Sequence, residues 1–96
     1  MSFANRIKRL IIEEIARCDR YRNESYGRGV ALHEVAEFLH EVRGDYGSDY
    51  ALQAALLDFT AGLAESSLAV ALGEYDRYQA GKTMGYNTAH NIIGGN

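Results

Sequence analysis

The acidic and imidazole side chains of one short segment are the nearest approach to a reactive cluster in these 96 residues. His33, Glu37 and Glu41 recur at intervals of four, and Glu37 to His40 is the Glu-x-x-His spacing with which helical bundles aim two ligands at one metal ion. Such a centre needs matching ligands from other helices, and the chain holds no second Glu-x-x-His. The arc formed by His33, Glu34, Glu37, His40 and Glu41 also lies opposite an apolar one made by Ala31, Leu32, Val35, Phe38, Leu39 and Val42. A solvated face is therefore expected, with no metal or cofactor unless two copies assemble a site across their interface.

Glu34 and Glu37 also form a Glu-x-x-Glu pair, and Asp58 follows at a distance that could complete a second, Glu-x-x-Asp, pair. In this, residues 34–58 resemble the MazG-type all-helical nucleotide pyrophosphatases, whose four carboxylates hold magnesium against a triphosphate. The resemblance implies a magnesium-dependent, nucleotide-acting enzyme. The third position of the pattern is Ala55, which removes one of the oxygen ligands a hard cation requires. Gly81-Lys82-Thr83 looks like the end of a phosphate-cradling loop, but Asp76 stands where that loop's first glycine belongs, and no strand precedes it. Cys18 falls on an apolar stripe and reads as a small buried hydrophobe, and no hydroxyl or thiol has a base at a recognisable spacing. Catalysis is not expected.

Binding chemistry is better represented. Arg6, Arg9, Arg17 and Arg20 share an arc on the flank of the first helix, which suits either phosphate contacts or pairing with Glu13, four residues from both Arg9 and Arg17. Seven tyrosines, against three phenylalanines and no tryptophan, sit in polar settings. A ring with a polar tip is favoured where a surface becomes an interface, and Tyr75, Tyr78 and Tyr86 are candidates for one.

These side chains must be positioned by helices, because the apolar residues recur at about 100° per residue. With 47% hydrophobic residues, 24% charged and no proline, the chain has the composition of one small folded domain. A first helix is expected from a cap at Ser2 to about Asn23, burying Phe3, Ile7, Leu10, Ile11, Ile15 and Cys18. A second is expected from about Val30 to Arg43, and a long third from Ser48 or Asp49 to about Ala80. The third is apolar on more than one side, which suits the centre of a bundle. It also carries a strip of small residues, Ala55, Gly62, Ser66, Ala69 and Gly73, that would let another backbone approach closely. A membrane span over Ala51–Leu72 is disfavoured by Asp58 and Glu65 in its middle. Residues 81–96, rich in glycine and asparagine, read as a flexible tail.

The net charge of −3 is unevenly spread, with seven Lys/Arg against four Asp/Glu in residues 1–28 and three against nine in residues 29–96. An acidic body disfavours a protein that coats DNA, although the arginines and tyrosines keep a nucleic-acid or nucleotide binder in view. The single cysteine and the charged N-terminus fit a cytoplasmic chain. The expectation is an all-α fold with a three-helix protomer, residues 1–80 forming the domain and 81–96 its tail, paired through the third helix as a homodimeric bundle. Its expected role is that of a small adaptor, inhibitor or regulatory protein that binds another protein, in the manner of accessory proteins that occupy a host factor.

Overall fold

A computed structural model describes residues 2–19 and 22–96. Among the described residues four helices follow one another: α1 (Phe3–Ala16), α2 (Asn23–Val42), α3 (Asp49–Glu74) and α4 (Arg77–Gly94). The all-α expectation holds; the three-helix count does not.

The starts of α1 and α3 follow from their caps. Ser2 Oγ accepts from the Asn5 N–H, and Ser48 Oγ from the Ala51 N–H, both at 3.1 Å, satisfying donors that a helix N-terminus leaves unpaired. α1 buries Phe3, Ile7 and Ile11 at four-residue spacing but stops at Ala16, about two turns before the expected end. α2 starts earlier than expected, because Gly27 and Gly29 are buried inside a helix rather than punctuating a turn.

The largest departure lies at the C-terminus. α3 ends at Glu74, followed by Tyr75 in the left-handed region at φ 53°. Asp76 then caps a new helix, its carboxylate accepting from the N–H groups of Tyr78 (2.9 Å) and Gln79 (3.2 Å). The expected tail is therefore α4, which packs against all three other helices and takes the central position expected of α3.

Glycine makes this packing possible. Gly81, Gly85, Ala89 and Ile93 are buried along one side of α4 at four-residue intervals. A Cβ on Gly81 would overlap the Glu24 carbonyl, one on Gly85 the Arg28 carbonyl, and one on Gly27 the Tyr78 carbonyl. The backbones of α2 and α4 thus touch, and close contact supplies what the poor helix propensity of this segment does not. α3 lies along the other side of α4, burying Leu52, Leu56, Ala64 and Ala71, while Phe38 of α2 stacks on Phe59 of α3 with ring centres 3.9 Å apart.

Polar groups inside the bundle are paired. Thr60 Oγ1 lies 2.8 Å from His90 Nδ1, Ser67 Oγ lies 2.7 Å from Thr83 Oγ1, and Gln53 donates to the Ile93 carbonyl at 2.7 Å. These contacts fix the register of α3 on α4.

Candidate interaction surface

The side chains first suspected of chemistry do not converge. Glu34 is held inside the α2–α4 contact, where its carboxylate accepts from the Tyr86 hydroxyl at 2.5 Å and pairs with Lys82 at 3.2 Å. The Lys82 ammonium lies between the Tyr78 and Tyr86 rings, 5.9 and 5.8 Å from their centres. Burial first, then the bond to Glu34 and its charge, push the Tyr86 hydroxyl well above the ordinary tyrosine pKa. Glu37 is exposed on α2, and Asp58 is exposed on α3. Among the described residues no group of three or more His, Cys, Asp or Glu could hold a metal ion. The Glu34, Glu37 and Asp58 set thus lacks the convergence that the pyrophosphatase resemblance requires.

The arginines are largely spoken for. Arg6 donates to the side chain and backbone carbonyls of Asn96, both at 3.2 Å, and Arg9 reaches Glu13 at 4.0 Å. Glu14 receives Arg17 and Arg28, each at 2.7 Å, and the hydrogen bond from Arg28 holds its carboxyl below the usual glutamate pKa. Arg20 lies outside the described residues. A cleft of about 900 Å³ is lined by Arg22, Arg28 and Arg77 among others, but these reach Asp19, Glu14 and Glu24 respectively. Within the expected arc, Arg9 and Arg17 face carboxylates, while Arg6 meets the carbonyls of Asn96.

The three candidate tyrosines part company. Tyr86 is 1% exposed and is a core residue; Tyr78 is half-buried, its ring 5.8 Å from that of Tyr26. Only Tyr75, 92% exposed at the end of α3, is available to a partner. Burial of the other two follows from α4, which gives them a face to cover.

What remains uncovered is the outer side of α3. The most apolar 18-residue window of this helix has a mean hydropathy of 1.4, enough in length and composition to cross a membrane, yet only 22% of it is buried within the bundle. The small strip lies here: Gly62, Ser66, Ala69 and Gly73 are exposed, Ala55 is half-buried, and the space over Gly62 and Gly73 is open. Beside it runs a longer seam. Ala54, Asp58, Ala61, Glu65, Leu68, Leu72 and Tyr75 are all exposed and follow one another at alternating steps of four and three residues, with Leu68 at 45% and Leu72 at 70% exposure. These steps place them along one side of α3, its large apolar members being Leu68 and Leu72.

The arrangement follows from α3 having one neighbour along much of its length. Its inner residues, Leu52, Leu56, Thr60, Ala64, Ser67 and Ala71, meet α4, and apolar residues on the far side meet nothing. Sequence inspection finds the small strip but passes over the seam, because Asp58 and Glu65 interrupt its apolar run.

No family model, no curated protein and no solved structure matches this chain.

Proposed function

We propose that the protein is a small adaptor or regulatory protein without catalysis of its own, which binds another protein by seating a helix of that partner along the outer side of α3. The observation that carries this reading is the exposed side of α3 from Ala54 to Leu72, with Tyr75 just beyond the helix end, a side of a long apolar helix with nothing packed on it. Leu68, Leu72 and Tyr75 form its apolar end, and burial of a large aliphatic or aromatic side chain is what gives helix-in-groove contacts most of their affinity.

The test is a comparison of tagged wild-type protein with Leu68→Asp/Leu72→Asp in the native cell. Leu68 is 45% and Leu72 70% exposed, and thermal unfolding of the variant checks that its fold is kept. A protein retained by the wild type and lost from the variant supports the reading. Equal retention by both moves the binding surface away from α3.

A second reading, the pairing of two copies through Ala55, Gly62, Ser66, Ala69 and Gly73, is favoured by the open space over Gly62 and Gly73. Mass in solution tests it: a concentration-independent monomer excludes it.

A further inference from the structure

The chemistry of the partner is written in the two charged positions of the seam. The carboxylates of Asp58 and Glu65 have no hydrogen bond or ion pair among the described residues. Their own helix cannot neutralise them, because α3 contains no Lys or Arg. The residues three and four away from Asp58 are Ala54, Ala55, Ala61 and Gly62; those around Glu65 are Ala61, Gly62, Leu68 and Ala69. Both carboxylates therefore stand clear on a surface of small and apolar groups, seven residues and about 10.5 Å apart along the helix.

We infer that the α3 seam takes a basic amphipathic helix, one that sets Lys or Arg opposite Asp58 and Glu65 and apolar side chains opposite Ala61, Leu68 and Leu72. This rests on the reading of α3 as the docking face. Charge is what selects the occupant. A charge at a seam position is costly to cover unless it is paired, and a cation at the matching position of the partner removes that cost.

A second copy of α3 seated seam on seam in either symmetric register is disfavoured for the same reason. Asp58 and Glu65 lie symmetrically about the Ala61–Gly62 bond, which is also the midpoint of Asp49–Glu74. An antiparallel pairing of two α3 helices with full overlap sets Asp58 of each against Glu65 of the other. A parallel, in-register pairing sets Asp58 against Asp58 and Glu65 against Glu65. In these two registers acid faces acid at the centre of the contact, which disfavours seating seam on seam between two copies while leaving the surface open to a complementary helix. A bilayer would have to receive the same two carboxylates at its middle.

The test uses two synthetic helical peptides, each three heptads long with an Ala/Leu seam, alike except that one carries Lys and the other Glu at two seam positions seven apart. Binding to the whole protein is read by fluorescence anisotropy. The expected result is preference for the Lys peptide by roughly tenfold, which reverses in Asp58→Lys/Glu65→Lys. The control Glu37→Lys/Glu41→Lys changes net charge equally at exposed sites on α2 and keeps the wild-type preference.

Failure to bind either peptide, equal affinity for both, or a preference that survives the Asp58 and Glu65 reversal overturns the inference. So does a wild-type dimer dissociated by Leu72→Asp, which gives the face to a second copy, or partition of the protein into phosphatidylcholine vesicles, which gives it to a bilayer. The Leu68→Asp/Leu72→Asp comparison in the native cell is independent of partner charge. It can therefore uphold α3 as the docking face even where the basic partner fails.

Discussion

The Tyr86 hydroxyl donates to Glu34 across the contact between α4 and α2, and Lys82 completes the group from the same helix as Tyr86. The folded state holds the Tyr86 proton more tightly than the unfolded chain does, because burial and the Glu34 carboxylate both oppose the phenolate. Stability from this proton is fully present below the ordinary tyrosine value of 10.0 and is lost as pH rises beyond it. Tyr86→Phe is expected to lower neutral stability by about 1.5–3 kcal/mol through loss of a bond to a charged acceptor. It should also make the loss above pH 10 shallower. Urea unfolding at pH 7 and at a series of alkaline values measures both.

At the acid end the corresponding group is Glu14. The hydrogen bond from Arg28 is the largest influence on its carboxyl, and the charges of Arg17 and Arg28 add to it, outweighing the opposing effect of partial burial. A lowered pKa in the fold gives stability that is present above the usual value of 4.5 and is lost as pH falls below it. Glu14→Gln is expected to weaken the fold at pH 7 and to flatten its acid dependence below pH 4.5. Thermal unfolding across that range checks the sign.

Glycines of equal standing in the sequence should respond oppositely to alanine. Gly81→Ala and Gly85→Ala drive a Cβ into the Glu24 and Arg28 carbonyls, and each is expected to cost about 1–3 kcal/mol by forcing α2 and α4 apart. Gly62→Ala and Gly73→Ala meet open space in the interior of α3, and each is expected to stabilise the protein by about 0.4–1 kcal/mol. Denaturation midpoints of the four variants decide it.

That contrast also explains how far the sequence could be read. The caps at Ser2 and Ser48 and the stripe Phe3, Ile7, Ile11 are local signals, and they place the starts of α1 and α3 correctly. α4 is not a local matter. Gly81 and Gly85 look like breakers and become helical only because the α2 backbone lies against them. Two clues pointed there: Asp76 three residues before Gln79, a helix-start pattern, and the four-residue spacing of Gly81, Gly85, Ala89 and Ile93.

The same missing helix misplaced part of the candidate surface. Without α4, Tyr78 and Tyr86 looked free, and α3 looked central. With α4 in place, Tyr86 is core, and α3 lies at the side with Leu68, Leu72 and Tyr75 outward. The small strip at Gly62, Ser66, Ala69 and Gly73 was legible as one face from spacing alone, whereas the seam beside it needed the bundle to show which side of α3 stays uncovered.

Site-specific photocrosslinking in the native cell tests the α3 surface most directly. A photoreactive residue replaces Ala61, at the middle of the seam, or Glu37, exposed on α2 and away from it. The account predicts one crosslinked protein from position 61, joined through a helical segment rich in Lys or Arg, absent from position 37 and abolished by Leu68→Asp/Leu72→Asp. A product from position 37 with none from position 61 would contradict it.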